Sequence, residues 1–372
     1  MVSEGFVDTD PEHVGIDPER IKRLDRFFLE SIEANRIQAA GYIISRQGKI
    51  FAHKTMGVLS RIDDRGNFLP DSLHAIASAT KVFTATAIMQ LVELGKVSLE
   101  QPISSILPEF QNQVHEKITL LHLLTHTSGL RADPGAHAEP YPRPFWEDTL
   151  TSENWISFIL RDPLQFPVGE VWNYCSHGFM ILGEIIARVS GIPYTEYLQQ
   201  HILEPLGMTR SFFDVPDQYR SNVCLVNNAD VKELDFPRQV NFVESWVACG
   251  SLYSTLHDVW KFGQMILNKG TFQHHFILSR KMIDVMTRNH LHNIPAYNWG
   301  AKIKSKHYGI GWEIDKEPIF SPGTLSHEGF GWTSLFIDPQ EELVYVSMTP
   351  TKTDWWTAKP MIARALALSA LV

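Results

Sequence analysis

The chain has 372 residues, 44% of them hydrophobic, so it holds enough apolar material for a large buried core. Its formal net charge is -9, from 33 basic and 42 acidic residues, which leaves no basic stripe that could neutralise the phosphates of a nucleic acid. The three cysteines lie far apart in the chain and exclude both a disulfide framework and a paired-cysteine zinc site, so reduced thiols are expected.

The first residues carry no targeting signal. The sequence MVSEGFVDTDPEHVG is acidic where a secretory signal needs a basic start and an apolar stretch, and it is loop-like. No segment approaches the ~18 uninterrupted apolar residues of a membrane span. We therefore expect a cytoplasmic protein without a membrane span.

The N-terminal part predicts a helix followed by the start of a sheet. Pro18 to Asn35 has apolar residues at helical spacing and reads as an amphipathic helix. Ala39 to Ser45 and Lys49 to His53 are short apolar runs around a glycine-containing turn, as in a β-hairpin. Thr80 to Leu94 is helical and strongly apolar, so it predicts a buried helix that Gly95 ends.

The middle, from about Leu99 to about Leu291, is mostly helical in pattern. Phe179 to Ser190 predicts one helix. Ser254 to Asp258 resembles a capped entry into another, Val259 to Leu267. Two stretches with little periodicity are expected to be ordered loops: Arg131 to Trp146 and Ser221 to Phe242.

The C-terminal part returns to strands, which are predicted at Tyr308 to Ile314, Thr324 to His327, Thr333 to Ile337 and Leu343 to Met348. Asp338 to Glu342 is expected to be a hairpin turn, and Met361 to Leu371 a closing helix. The expected fold is α/β plus α: a sheet built from both chain ends and flanked by helices, with a mostly helical insertion. The sheet domain would comprise residues 1–80 and 300–372, the helical domain 81–299, and the active site would lie in the cleft between them.

Ser78 and Lys81 form an S-x-x-K pair at the start of the predicted buried helix. Positions i and i+3 lie on one face of a helix, so the hydroxyl group and the amine are brought together. A serine hydroxyl becomes a good nucleophile when a neighbouring base takes its proton, and a buried lysine can be that base because burial lowers its pKa. The motif alone also arises by chance, so its weight depends on partners elsewhere in the chain.

Two later segments supply candidate partners. Tyr174 opens a Y-x-S motif on a turn before a helix, from which its phenol could reach a cleft and transfer a proton. His327 opens an H-x-G motif at the end of a predicted strand, whose edge could bind a substrate. The N–H groups of Ser78 and Phe330 are then candidate oxyanion donors. Taken singly, such a tyrosine is more commonly a core residue and such a histidine a structural one.

The motifs S-x-x-K, Y-x-S and H-x-G, in this order, resemble those of the serine β-lactamase and penicillin-binding-protein superfamily. Further segments are similar to that superfamily's recurring framework: Leu123 to Leu130, Pro205 to Met208 and Gly250 to Phe262. The resemblance therefore covers nearly the whole chain and implies a β-lactamase/transpeptidase-like fold with an antiparallel sheet. By pattern, the nearest groups are the class C β-lactamases, the esterases on that fold, the D-aminopeptidases and the acyltransferases that finish some polyketides.

The resemblance also implies roles for the motif residues. Ser78 would be the acylated nucleophile, with Lys81 and Tyr174 as its proton-transfer partners, and which of the two is the base stays open. The H-E-G sequence at His327 departs from the K-T-G of true β-lactamases and D-Ala-D-Ala carboxypeptidases, whose lysine helps recognise a carboxylate. A mostly neutral imidazole binds a carboxylate weakly. The Y-x-S motif also ends in serine where asparagine is frequent in class C enzymes, and both departures resemble the esterase and aminopeptidase branches.

The expected function is hydrolysis of carboxylic esters through an acyl-enzyme, with weak β-lactam hydrolysis as a side activity. The expected partner is a small ester, amide or lactam, and no cofactor or metal is expected. His122 and His126 have a zinc-compatible spacing but lack the glutamate of H-E-x-x-H, and no G-x-S-x-G is present. Candidate substrate-binding residues are Ser176, Gly329, Trp172, Trp246 and Trp332, and further aromatic candidates for the pocket are Phe330, Trp355 and Trp356.

Other functions stay open on the same motifs. A β-lactamase or a D-stereospecific peptidase or amidase would share all of them, and an acyltransferase would differ only in the acceptor that resolves the acyl-enzyme. A non-catalytic scaffold on this fold is a further alternative, although it would have no reason to retain all four motif residues. The sequence carries no signal for an oligomeric state.

Overall fold

The computed structural model describes residues 2–134, 136, 154–235, 244–304, 306–315, 317–351 and 359–372, without the side chains of residues 244–246, 298 and 359. The strands are β1 Val2–Glu4, β2 Ala39–Arg46, β3 Lys49–Gly57, β4 His74–Ala75, β5 Trp172–Asn173, β6 Tyr253–Ser254, β7 Thr271–Phe272, β8 His275–Phe276, β9 Ala296–Asn298, β10 Ala301–Ile303, β11 Glu313–Ile314, β12 Leu325–Gly329, β13 Thr333–Asp338 and β14 Leu343–Met348. The helices are α1 Pro18–Glu33, α2 Thr80–Glu93, α3 Leu120–Leu124, α4 Trp155–Leu160, α5 Ser176–Ser190, α6 Tyr194–Leu198, α7 Asp217–Arg220, α8 Asn228–Asp235, α9 Leu256–Leu267, α10 Arg280–Met286 and α11 Lys359–Leu368.

Both ends of the chain contribute to one seven-stranded antiparallel sheet. Its strand order is β1-β3-β2-β14-β13-β12-β11, and the two chain ends join where β2 pairs with β14. Most of the helices lie between β4 and β11 in the chain. This arrangement confirms the predicted sheet of N- and C-terminal strands flanked by helices.

The sheet is covered on both faces because side chains alternate along its strands. In β2, Ile43 belongs to the larger core with α2 and α9, whereas Ile44 belongs to the core with α1 and α11. α2 is buried almost all round, as its unbroken apolar pattern predicts, and it lies at the centre of the larger core. None of the helices in the described ranges has the length and apolar character that crossing a membrane requires.

Several predicted elements are confirmed with small shifts of their ends. α1, β2, α2, β12, β13, β14 and α11 occur where the sequence predicts them. α9 begins earlier than expected because Thr255 is its cap, accepting a hydrogen bond from the Asp258 N–H at 3.2 Å. The turn between β13 and β14 is held by Asp338, whose carboxylate accepts the Gln340 N–H at 3.0 Å.

The prediction that the chain starts as a loop is wrong. β1 pairs with the end of β3, with Val2 opposite Met56, and adds a strand at the edge of the sheet. β3 itself continues to Gly57 and does not end at His53, because β2 pairs with it that far, with Ala39 opposite Gly57. Three residues are too few to show a strand period in the sequence.

Two further predictions need correction. Tyr308 to Ile314 is not one strand, because the chain turns there: the Gly309 N–H bonds the Trp312 carbonyl at 2.8 Å, and Gly311 has φ +75°. Ser221 to Phe242 contains α8 and is not wholly loop; residues 236–243 lie outside the described ranges. Of the other predicted loop, Arg131 to Trp146, only residues 131–134 and 136 are described.

The mostly helical middle also contains short strands. β9 and β10 form a hairpin, and β9 pairs in parallel with β5, with Trp172 opposite Ala296. Tyr174 follows β5 directly, so this small sheet positions one of the predicted catalytic residues.

Candidate active site

Ser78 and Lys81 are in contact at the start of α2. Ser78 is partly exposed in a short 3-10 turn, Ala77–Ala79, that runs into the helix, and Ala77 has the left-handed φ of 45°. The Lys81 Nζ donates hydrogen bonds to Ser78 Oγ at 3.1 Å and to the Cys249 carbonyl oxygen at 2.6 Å. The one-turn spacing of the motif therefore produces the predicted hydroxyl–amine pair.

The amine of Lys81 is enclosed by protein. The side chain is 1% exposed, and its Nζ lies 5.0 Å from the centre of the Tyr174 ring and 5.7 Å from that of Phe179. Burial lowers the pKa of Lys81, and the nearby Cys249 and Asp133 side chains act in the opposite direction. A lowered pKa increases the fraction of Lys81 that is neutral at a given pH, and only the neutral amine can accept a proton.

Tyr174 lies beside both the Lys81 amine and the Ser78 side chain. Burial raises the pKa of the Tyr174 phenol well above its usual range, and the Asp133 carboxylate raises it further, while a hydrogen bond with the Ser78 side chain acts in the opposite direction. The phenol therefore holds its proton at neutral pH. The pKa shifts of Lys81 and Tyr174 thus both favour the neutral form of the side chain.

Asp133 is a site residue that the sequence analysis missed. Its two carboxylate oxygens accept hydrogen bonds from Ser176, from the backbone N–H at 2.6 Å and from the hydroxyl at 2.6 Å, and its own N–H bonds the Tyr174 carbonyl at 2.9 Å. α5 starts at Ser176, earlier than predicted, because this carboxylate caps its first turn. The Ser176 hydroxyl, predicted to bind substrate, is engaged with Asp133.

His126 packs under Tyr174, with ring centres 4.4 Å apart. Its Nδ1 accepts the Cys175 N–H at 3.1 Å, so the proton of the neutral ring is on Nε2. Burial and the nearby Lys81 lower the pKa of His126 well below its usual range. His122, the other member of the histidine pair in the sequence, has a different position and accepts the Thr119 N–H at 3.1 Å at the start of α3.

His327 is buried on β12 and faces the Lys81 side of the sheet. It is 3% exposed, and burial together with the charge of Lys81 lowers its pKa to about 4. Its Nδ1 lies 3.0 Å from the Glu328 carbonyl oxygen, which can only accept, so Nδ1 carries the proton and Nε2 is an acceptor. The Glu328 side chain points to the other face and accepts from Arg364 Nη2 of α11 at 2.8 Å.

Gly329 brings the end of β12 against the turn that carries Ser78. A Cβ at Gly329 would lie 1.9 Å from the Ile76 carbonyl oxygen, so no other residue type fits at this contact. Phe330 follows at the tip of the β12–β13 hairpin, where its ring is 61% exposed. The tip is closed by a hydrogen bond of 2.9 Å from the Trp332 N–H to the Gly329 carbonyl.

Among the predicted aromatic pocket residues whose side chains the structure describes, Trp172 and Trp332 lie in different clusters. Trp172 is 1% exposed and packs under Tyr174 as a core residue. Trp332 packs into the cluster that α1 and α11 form with the sheet. The Trp246 side chain, and the whole of Trp355 and Trp356, lie outside what the structure describes.

A different tryptophan contacts the site. Trp299, at the tip of the β9–β10 hairpin, is 45% exposed, and its ring centre lies 5.7 Å from that of Tyr174. No sequence pattern indicates this contact, because two strands of three residues each are too short to predict a hairpin.

This chain is similar in sequence or in structure to known proteins over nearly its whole length. A Salmonella agona (strain SL483) protein, provisionally named a D-alanyl-D-alanine carboxypeptidase, is 25% identical over 382 residues, which cover 90% of this chain and 84% of that protein. The structure of EstCE1, described as a hydrolase with promiscuous acyltransferase activity, matches with a TM-score of 0.76 at 18% identity and covers 95% and 98% of the two chains. A family VIII carboxylesterase matches with a TM-score of 0.75 at 18% identity and covers 96% and 99%. At these identities, the two structures establish the shared fold.

The beta-lactamase family model matches residues 24–367, a range that includes all the motif residues of the site. This match confirms the resemblance that the three motifs indicate, and the similar structures confirm the predicted fold class. The chain therefore belongs to the beta-lactamase family.

Proposed function

We propose that this serine hydrolase of the beta-lactamase family hydrolyses carboxylic esters through an acyl-enzyme on Ser78. The observation that carries the proposal is the 3.1 Å hydrogen bond between the buried Lys81 amine and Ser78 Oγ, with the Tyr174 phenol beside both. A nucleophile in contact with a base whose pKa is lowered is the arrangement that acyl transfer requires.

The directions of the pKa shifts of Lys81 and Tyr174 support the following sequence of proton transfers. Neutral Lys81 takes the proton of Ser78 as Oγ attacks the ester carbonyl carbon, and the N–H groups of Ser78 and Phe330 bind the oxyanion. The carbon–oxygen bond to the alcohol then breaks, and the leaving oxygen takes the Tyr174 proton, which Lys81 replaces. Water attacks the acyl-enzyme by the reverse path and releases the acid.

The electrostatics near His327 favour esters over substrates that carry a carboxylate. With a pKa of about 4, the imidazole is neutral at pH 7 and offers an acceptor at Nε2, which repels a carboxylate lone pair. The nearby Lys306 is not a free cation, since its Nζ donates to Glu313 at 2.7 Å and lies 4.3 Å from the Trp172 ring centre. D-Ala-D-Ala peptides and β-lactams both present a carboxylate, so they should be poorer substrates than neutral esters.

Acyl transfer to an alcohol is the second candidate. The similar structures are described as a carboxylesterase and as a hydrolase with promiscuous acyltransferase activity, which supports both outcomes for one acyl-enzyme. Added alcohol at fixed ester concentration should divert part of the acyl group into a new ester if transfer occurs. A product mixture unchanged by alcohol would leave hydrolysis as the sole outcome.

The test measures the turnover of three substrates by the wild-type protein and by Ser78→Ala. p-Nitrophenyl butyrate is the neutral ester, nitrocefin is the β-lactam, and a D-alanine p-nitroanilide reports D-stereospecific amidase activity. We expect wild type to turn over the ester with a kcat/KM at least ~100-fold above that for nitrocefin, a difference of about 3 kcal/mol in transition-state binding. Ser78→Ala should show background rates only.

The matched control is Ser105→Ala, a change of a serine in a 3-10 turn outside the site. It should leave ester turnover at the wild-type level. Preference for nitrocefin or for the anilide would replace the esterase proposal with the corresponding alternative. Undiminished ester turnover by Ser78→Ala would remove the acyl-enzyme mechanism and favour a non-catalytic scaffold.

A further inference from the structure

The β9–β10 hairpin is built onto the strand that holds Tyr174. β9 pairs with β5, with Asn173 opposite Tyr297, and Tyr174 is the next residue after β5. The tip is also anchored by the Gly300 N–H, which bonds the Ala136 carbonyl at 3.3 Å. The position of Trp299 is therefore fixed relative to the phenol, and the two rings meet at 5.7 Å with an interplanar angle of 39°.

Trp299 is placed there at a cost to the fold. It has φ +48°, a left-handed conformation that a bulky residue rarely adopts, although a glycine follows it at the next position. Its ring is 45% exposed beside Tyr174. A strained backbone that presents a large exposed ring beside a site residue points to a binding role.

The proposed reaction indicates which part of the substrate would contact the Trp299 ring. In the acylation step, Ser78 Oγ forms a bond to the carbonyl carbon, the bond to the leaving oxygen breaks, and that oxygen takes the Tyr174 proton. The alcohol portion of the ester must therefore lie against the Tyr174 side of the site. Trp299, whose ring centre lies 5.7 Å from that of Tyr174, adds a second and more exposed aromatic ring there.

We infer that Trp299 and Tyr174 form a subsite for the leaving alcohol and that the enzyme prefers esters of flat aromatic alcohols over esters of small alkyl alcohols. This inference rests on the proposed function, which defines the acyl and leaving sides. Aromatic pairs gain stability beyond area burial, so removal of the indole should cost roughly 10-fold for an aromatic leaving group. A methyl leaving group is too small to reach the indole and should lose nothing.

The leaving alcohol occupies the subsite only until the acyl-enzyme forms. Loss of the subsite should therefore slow acylation and leave deacylation unchanged. 2-Naphthyl butyrate and methyl butyrate produce the same butyryl-enzyme, and the alcohol has left before water attacks. Trp299→Ala should therefore lower kcat/KM for the naphthyl ester by roughly 10-fold, with kcat/KM for the methyl ester within about 2-fold of wild type. The deacylation rate constant from pre-steady-state bursts should not change.

Two further variants serve as controls. Trp299→Phe keeps an aromatic face and should recover most of the preference for the naphthyl ester. Phe276→Ala removes another exposed ring, 64% exposed on the β7–β8 hairpin, and should affect neither ester. An equal loss for both esters in Trp299→Ala would mean that the indole only supports the hairpin, and no loss would mean that it binds nothing; either result overturns the inference.

A binding measurement separates failure of this inference from failure of the proposed function. Ser78→Ala and Ser78→Ala/Trp299→Ala are titrated calorimetrically with intact 2-naphthyl butyrate. The subsite predicts roughly 10-fold weaker binding by the double variant, whether or not wild type hydrolyses the ester. Equal affinities would overturn the subsite even if ester turnover is confirmed, and absence of turnover with a difference in affinity would overturn the esterase function alone.

Discussion

Asp133 bonds Ser176 through both of its carboxylate oxygens, at 2.6 Å from the backbone nitrogen and 2.6 Å from the hydroxyl oxygen. This contact fixes the first turn of α5 and, through the Asp133 N–H, the Tyr174 carbonyl. It also places a carboxylate near Lys81, whose pKa it raises against the effect of burial. Asp133 therefore both positions Tyr174 and influences the protonation state of Lys81.

Replacing this carboxylate should shift the pH dependence of the reaction. Asp133→Asn removes a negative charge that stabilises the Lys81 ammonium, so the pKa of Lys81 should fall further. Because the neutral amine is the base, the acidic limb of kcat/KM for p-nitrophenyl butyrate should move to lower pH. Asp17→Asn, a change of the carboxylate that caps α1, should leave the profile unmoved. An acidic limb that stays in place in Asp133→Asn would contradict this electrostatic role.

The two proton-transfer partners should each be essential. Lys81→Met fills the buried volume of the lysine without its amine, and Tyr174→Phe removes the phenolic proton. Each should lower kcat by at least ~100-fold, as expected for general acid–base groups. Thermal unfolding measured in parallel checks that each variant folds. Near-normal kcat in a folded variant would remove that residue from the mechanism.

The approach of β12 to the Ser78 turn should tolerate only glycine. In Gly329→Ala the new methyl group would be 1.9 Å from the Ile76 carbonyl oxygen, so the strand must move away and take the Phe330 N–H with it. Loss of one oxyanion donor costs roughly 100-fold in kcat. Gly250→Ala is the matched control, because its methyl group would lie 3.5 Å from the Ala77 carbonyl carbon, an ordinary contact. Similar kcat values for the two variants would argue against the oxyanion role.

His53 should make the protein less stable in mild acid. It is 4% exposed against His257, and burial followed by that neighbour lowers its pKa to about 4 from an ordinary 6.5. The unfolded chain therefore binds more protons as the pH falls from 6.5 to 4, and the free energy of unfolding should fall by up to about 3 kcal/mol over this window.

Urea unfolding at pH 7 and pH 5 measures this contribution. The stability difference between the two pH values should shrink in His53→Leu, because the titrating group is gone. His274→Leu changes an exposed histidine and should keep the wild-type difference. An undiminished difference in His53→Leu would show that other groups carry the acid sensitivity.

Local spacing explains what could be predicted of the site. Ser78 and Lys81 meet because one helical turn separates them, and His327 faces them because strand residues alternate between faces. The continuous apolar pattern of α2 predicted a fully buried helix, and that burial lowers the pKa of Lys81. Except for the approach of β12 to the Ser78 turn, which joins distant segments, these features depend on residues that are close together in the chain.

Contacts between distant segments could not be predicted in this way. Asp133 lies in a stretch without periodicity, and its partner Ser176 is 43 residues away. Trp299 reaches Tyr174 through the pairing of strands of two or three residues, too short to show a period of two. Trp332, a predicted pocket residue, packs instead against the cluster of α1 and α11, because the position of its ring depends on contacts with these distant helices.

The central claim, that Ser78 is the nucleophile, is tested most directly by covalent labelling with a fluorophosphonate followed by peptide mass spectrometry. The phosphonyl group replaces the serine proton as fluoride leaves, and the adduct does not hydrolyse on the time scale of the analysis. We predict one adduct per chain, on the peptide that contains Ser78, with labelling abolished in Ser78→Ala and strongly slowed in Lys81→Met. Labelling at another residue, or equal labelling of Ser78→Ala, would contradict the account.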